Sequence, residues 1–245
     1  MSPSELESHN KLPLLTLRAR YLPSTLGNET HSVTLETSSS LSDAAFTRCF
    51  ELVRDNLQDV YKRSSMGWSS VKKKNEMRHP AIRYLLLRTK DAAMSNENHD
   101  EEQGQGQGQE DNELEEEGNQ DSWEDEEDPS KIVGFLSFMI TEEVKEHVIY
   151  IYELQLAQSS QNQGLGKFLM NIAEDYGRAV GMPKAMLTCF SENVGAKRFY
   201  HRNGYAVDKI SPLPKMTRRG EMREPSYYIL GKYLREGRNE VEKSI

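Results

Sequence analysis

The sequence predicts a three-layer α/β domain, a mixed β-sheet with helices on both faces. Three observations predict it. Apolar runs of strand length recur at 81–89, 132–140, 148–156 and 185–190. Helix-like segments, 168–180 and 193–202, alternate with the later runs. A glycine-bearing stretch from Gln161 to Leu169 joins the 148–156 run to the next helix and reads as a strand-to-helix turn. The chain's 245 residues suit one such domain with appendages.

Taken in order, residues 1–30 are polar and proline-punctuated, and are expected to be a flexible N-terminal arm. Residues 32–37 alternate enough for a first strand. Ser42 is placed to cap a helix running to about Arg63, with Phe46, Cys49, Phe50, Val53, Leu57 and Val60 on one apolar face. Gly67 and Trp68 break it, and a shorter helix runs through Lys72, Lys73 and Lys74 to Met77, ending before Pro80. The strands at 81–89 and 132–140 read as hairpin partners separated by an overgrown Gly/Gln/acid loop, about 93–130. Its composition offers too little apolar surface to repay ordering, and loop entropy grows slowly enough for the fold to tolerate it. A strand is expected at 205–209, a proline- and arginine-rich loop at 211–225, a last strand at 226–233 and a charged tail at 235–245. The domain therefore spans 31–234, with the order β-α-α-β-β-β-α-β-α-β-β.

Charge is unevenly distributed. The net charge is −8, yet residues 97–128 hold sixteen Asp and Glu and no Lys or Arg. Outside them 23 acids stand against 31 bases, about +8. A basic body suits a polyanionic ligand, and the acidic tract suits solubility or a basic partner. Cys49 and Cys189 lack metal-ligand spacing and are expected to be reduced core thiols. No apolar run approaches membrane-spanning length. No metal cluster, Ser-His-Asp arrangement or nucleic-acid module is apparent, so a soluble, monomeric protein of cytoplasm and nucleus is expected, with no metal and no direct nucleic-acid or membrane partner.

The stretch Gln161-Asn162-Gln163-Gly164-Leu165-Gly166-Lys167 carries the functional signal. A loop opening a helix presents unused backbone N–H groups and the positive end of the helix dipole, a seat for phosphate. Gly164 and Gly166 let the backbone bend and approach a ligand closely. A dinucleotide fingerprint is excluded because Leu169 stands where its third glycine would be, and a Walker loop because one residue separates the glycines and Phe168 follows Lys167.

The pattern Gln-x-x-Gly-x-Gly after a strand resembles the pyrophosphate loop of the GNAT acetyltransferases. Asn193, Ala196, Phe199, Tyr200, Gly204 and Tyr205 resemble that family's acetyl-CoA-lining helix. Both fragments stand at the family's separation. The resemblance implies a GNAT fold from about residue 32 to 233 and acetyl-CoA as co-substrate. Leu154, Gln155 and Leu156 would then bond the pantetheine, with residues 161–167, Asn193 and Phe199 completing the coenzyme site. Tyr200 would protonate the departing thiolate. Tyr150 to Leu156, Met186 to Phe190, Gly67-Trp68 and Ser226 to Leu230 resemble one branch, the NatD N-alpha-acetyltransferases. These act on the Ser-Gly-Arg-Gly N-terminus of histones. By that resemblance Tyr61, Trp68, Glu143, Tyr150, Thr188 and Tyr227 bind the peptide, Glu143 through its arginine. Two residues depart from the branch: Met66 stands where it carries a second tryptophan, and Thr141 where it carries an acid.

The chemistry agrees independently. An amine must be neutral to attack a thioester, and a carboxylate nearby takes its proton directly or through one water. Glu153, flanked by Tyr152 and Leu154 in an apolar strand, is the candidate base, with Tyr152 beside it; strand alternation also permits a solvated, outward Glu153. Two other readings stand open: a GNAT acting on lysine side chains or polyamines, and a non-catalytic histone-binding module.

Overall fold

The computed structural model describes residues 3–23, 26–90, 128–216, 218 and 220–234. The helices are α1 (Pro3–Asn10), α2 (Leu14–Tyr21), α3 (Asp43–Arg63), α4 (Ser70–Met77), α5 (Leu165–Val180) and α6 (Val194–Arg202). The strands are β1 (His31–Thr37), β2 (Arg83–Thr89), β3 (Ile132–Glu143), β4 (Glu146–Leu156), β5 (Lys184–Phe190), β6 (Ala206–Val207), β7 (Lys215–Met216), β8 (Met222–Arg223) and β9 (Tyr227–Tyr233). Seven strands form one sheet in the order β1-β2-β3-β4-β5-β9-β6. Its pairings are antiparallel except β4 with β5. The expected hairpin of β2 with β3 is present, with Arg83 opposite Phe138. The tract between them, like the tail beyond Leu234, lies outside the described residues.

Both faces of the sheet are covered, so β2 alternates between two cores. Leu85 and Leu87 join the cluster under α5, whereas Tyr84 and Leu86 join the one under α3. This is why its sequence is a continuous apolar run. The α3 helix begins as expected, with Ser42 Oγ accepting from the Ala45 amide at 3.2 Å. It buries Phe46, Cys49, Phe50 and Val53, while Leu57 and Val60 are half-buried.

The N-terminal expectation needs correction. Residues 3–21 are not a loose arm: α1 and α2 dock on the α5 side, with Leu17 fully buried in its core. The Arg18 guanidinium donates to Leu35 O at 2.8 Å and pairs with Glu36 at 2.6 Å, while Asn10 Nδ2 donates to Ile140 O at 3.0 Å. Each helix has only eight residues, too short to show a clear period. Tertiary contacts stabilise them where propensity would not. The strand expected at 205–209 shrinks to Ala206–Val207, and the 211–225 loop contains the β7–β8 hairpin.

His9 sits between Tyr21 and Tyr176, its Nε2 3.0 Å from Tyr176 Oη. Burial, with Arg83 and Arg20 adding, pushes its pKa from 6.5 down to about 4. The folded state thus binds this proton less readily than the unfolded one between those values. The stability contributed is whole above about pH 6.5 and lost as pH falls toward 4. A melting series from pH 7.5 to 5 should show Tm falling by about several degrees, and His9→Phe should remove part of that dependence.

The β3–β4 hairpin turns on Val144 and Lys145, both at positive φ (48° and 66°). A two-residue turn with both central residues left-handed suits Asn and Gly; a β-branched residue there is strained. Val144 is exposed, so Val144→Asn should stabilise the protein by about 1 kcal/mol in urea denaturation.

Candidate active site

The cleft arises where the sheet splits. The β4 and β5 strands pair from Val148↔Lys184 to Ile151↔Leu187 and no further. Beyond Ile151 the β5-facing edge of β4 is without a strand partner, and its backbone groups face a cavity of about 1120 Å³. On the other side of β4 the register with β3 slips. Ser137 opposes Glu153 while Phe138 opposes Ile151, leaving Tyr152 as the extra residue of a bulge.

That slip reverses the alternation of side chains. Before it, Ile149 and Ile151 lie in the α5 core; after it, Leu154 and Leu156 pack on that side. Tyr152 packs on the α3 side, and Glu153 and Gln155 reach residues of α4 and α3. Glu153 is therefore neither solvated nor in the α5 core. It is 4% exposed, with Oε1 accepting from Lys73 Nζ at 3.0 Å and Oε2 from Gln155 Nε2 at 2.7 Å. Asn56 Nδ2 donates to Gln155 Oε1 and to Leu156 O, both at 3.0 Å. Lys73 Nζ also donates to Glu76 Oε1 at 2.6 Å and lies 4.8 Å from the Tyr61 ring centroid. Burial alone would lower the Lys73 pKa, but Glu153, Tyr61 and Glu76 outweigh it and hold it above its ordinary value.

Past the same end of β4 the loop into α5 turns through Asn162 (φ 61°) and Gly164 (φ 82°). Gly164 is the N-cap and supplies no side-chain acceptor. The first α5 amides therefore have no capping acceptor, and Phe168 N donates back to Gly164 O at 3.0 Å. Gln161, Asn162, Gly164, Gly166 and Lys167 line the cleft. Gln161 Nε2 donates to Leu156 O at 3.2 Å, so the side chain braces the loop in addition to facing the cleft. Gln163 and Leu165 do not line it. The Gln163 amide donates to Ser159 O at 2.7 Å, and the Leu165 side chain is in the core.

The α6 helix closes the side of the cleft next to α5. Asn193 caps it, its Oδ1 accepting from Ala196 N at 3.0 Å, and lines the cleft with Phe199 and Tyr200. A Cβ on Gly166 would stand 3.4 Å from the Phe199 ring, so glycine sets how closely α5 approaches α6. Tyr200 is 8% exposed, and burial pushes its phenol pKa well up, so it stays protonated.

The far end of the cleft is aromatic and acidic. Tyr61, Met66, Glu76, Glu143, Tyr150, Tyr152 and Thr188 line it, and Tyr150 Oη and Thr188 Oγ1 are 2.7 Å apart. Burial raises the pKa of Tyr61 and of Tyr150 to about 12. Trp68 and Tyr227 do not line the cleft. Trp68 packs behind Tyr61 at 5.5 Å between centroids, and Tyr227 pairs with Phe190 along β9. Each stands next to a lining residue. Leu154, Gln155 and Leu156 all line the cleft. Leu156 O already accepts two hydrogen bonds, so Leu154 offers the freer carbonyl.

Sequence reasoning missed Lys73, Glu76 and Asn56. A signal existed for the first two: Lys73 stands four residues before Met77, the apolar anchor of α4, and Glu76 stands three residues after Lys73, at ion-pair spacing. Cys49 and Cys189 are buried and unpaired, as expected. Among the described residues no His/Cys/Asp/Glu group could hold a metal, and no helix is long and apolar enough to cross a membrane.

A mixed sheet splayed beside a β-bulge, with a glycine loop opening the following helix, defines the GNAT, or acyl-CoA N-acyltransferase, fold. Residues 86–205 match the model of the acetyltransferase (GNAT) family. N-alpha-acetyltransferase 40 of Saccharomyces cerevisiae is 32% identical over a 124-residue alignment covering 39% of this chain. The chain spans only 44% of that curated relative's length. Among solved structures, a GNAT-family acetyltransferase of Staphylococcus aureus is 9% identical with TM-score 0.50, covering 83% of this chain and 100% of that one. Arabidopsis thaliana NAA60 in complex with acetyl-CoA is 11% identical with TM-score 0.49, covering 82% and 98%.

Proposed function

We propose that the protein is an N-alpha-acetyltransferase that moves the acetyl group of acetyl-CoA to the α-amine of protein N-termini of the histone Ser-Gly-Arg-Gly type. The observation that carries this is the buried Glu153 carboxylate on the cleft wall, on the same strand as the glycine loop it precedes. The coenzyme would supply the activated thioester, its diphosphate on the α5 amides and Lys167. Its amide arm would lie along the open edge of β4.

Each Glu153 oxygen has one donor and keeps acceptor capacity for another. The carboxylate can thus take the amine proton as the nitrogen attacks and the C–S bond breaks. The buried Tyr200 phenol would return a proton to the leaving thiolate. Glu143 and Glu76 at the open end suit a cationic peptide, and Tyr150, Tyr152 and Thr188 suit a small first residue. Met66 lines the cleft as a flexible apolar wall where the resembled branch carries tryptophan.

The test is mass spectrometry of a Ser-Gly-Arg-Gly peptide incubated with protein and acetyl-CoA, with the α-amine free or blocked. A 42-dalton gain on the free peptide alone, mapped to the N-terminal fragment, is expected; about 42 Da is simply the mass of an added acetyl group on an amine nucleophile. Equal modification of the blocked peptide overturns the N-terminal assignment in favour of a lysine acceptor.

A further inference from the structure

The α4 helix inverts the usual order of burial. Val71 is 69% exposed whereas Lys73 is 6% exposed, and with Met77 it forms the buried face of the helix. Lysine is almost never buried without a partner, and a buried ion pair seldom stabilises more than an apolar replacement would. Stability alone is a poor reason for this arrangement, and the position of its partner suggests another. We propose that Lys73 is a positioning residue for acetyl transfer, whose ammonium keeps the Glu153 carboxylate ionised and turned to the cleft. The inference rests on the proposed reaction and deepens it.

The groups around Glu153 and its two hydrogen-bond partners are Lys73 and Glu76 of α4, Tyr61 and Asn56 of α3, Tyr84 of β2, Tyr152 and Gln155 of β4, and Tyr200 of α6. Among them Lys73 is the only cation. Gln155, itself held by Asn56, orients the carboxylate but carries no charge, and Glu76 and burial both favour its neutral form. Lys73 acts as a fixed charge. Its neighbours hold its proton more tightly than that of an ordinary lysine, which disqualifies it as a shuttle between Glu153 and Glu76.

Without the ammonium, Glu153 is a buried acid near Glu76 with no cation facing it. Lys73→Met should therefore shift the acidic limb of the kcat/KM profile upward by about one pH unit or more. Much of the rate should return at alkaline pH, and KM for acetyl-CoA should change little. Lys73→Arg should keep the wild-type profile shape at a reduced rate. Lys73→Met should add no further loss to Glu153→Gln. A Lys73→Met variant slowed equally at every pH overturns the proposal.

A second readout needs no activity. Lys73→Met should lower Tm at pH 8 and recover toward pH 5.5 as Glu153 protonates, and adding Glu153→Gln should restore part of the loss at pH 8. A Tm deficit independent of pH, with no recovery in the double variant, also overturns it. Should the wild-type chain modify no α-amine, the proposed reaction fails, while the Tm cycle still decides whether Lys73 governs the charge of Glu153.

Discussion

Glu153→Gln is expected to lower kcat by about a hundredfold or more, the range of a lost general base, with acetyl-CoA affinity nearly unchanged. The amide preserves shape and can still accept from Lys73, but it takes no proton at neutral pH. Its own NH₂ would meet the Gln155 Nε2 that now donates at 2.7 Å, so Gln155 must turn and give up part of its bond with Asn56. That rearrangement is local. Steady-state kinetics with a free N-terminal peptide, together with calorimetric titration of acetyl-CoA, separate the two effects. Less than a threefold change in kcat would remove Glu153 as the base, and direct attack by an amine deprotonated in solution would take its place.

Gly164→Val is expected to weaken acetyl-CoA binding by about 5- to 150-fold, the equivalent of about 1–3 kcal/mol of backbone strain. The position is informative because a Cβ there would touch nothing within 4 Å. Any loss must come from φ of 82°, which valine resists and asparagine tolerates better. Strain would displace the α5 amides from the seat proposed for the coenzyme's diphosphate. Gly164→Asn should accordingly bind more tightly than Gly164→Val, and calorimetry can rank them. Equal affinity for all three proteins would mean that the anion does not sit on this loop.

Most of the layering was legible because it depends on local patterns. The period of Phe46, Cys49, Phe50 and Val53 marked α3, and Ser42 marked its start. The doubly apolar β2 followed from a sheet covered on both sides. The glycine loop stood out because its residues are contiguous, and so did most of the cleft lining on β4. Trp68 and Tyr227 stand outside the cleft lining, and an aromatic that supports a pocket wall has the same sequence signature as one that forms it. The N-terminal helices were underread, since their order comes from contacts with Leu35, Ile140 and Tyr176, far along the chain.

Residue order alone was enough to specify the α/β class, the turn that opens α5 and the presence of one acid in an apolar strand, because each is written within a few consecutive positions. Folding decided which way that acid points. One extra residue at Tyr152 moves Glu153 to the α3 and α4 side, where Lys73, 80 residues earlier, meets it at 3.0 Å. A bulge depends on the pairing partner, and an ion pair depends on where a distant helix docks, so neither is encoded in any local window of the chain.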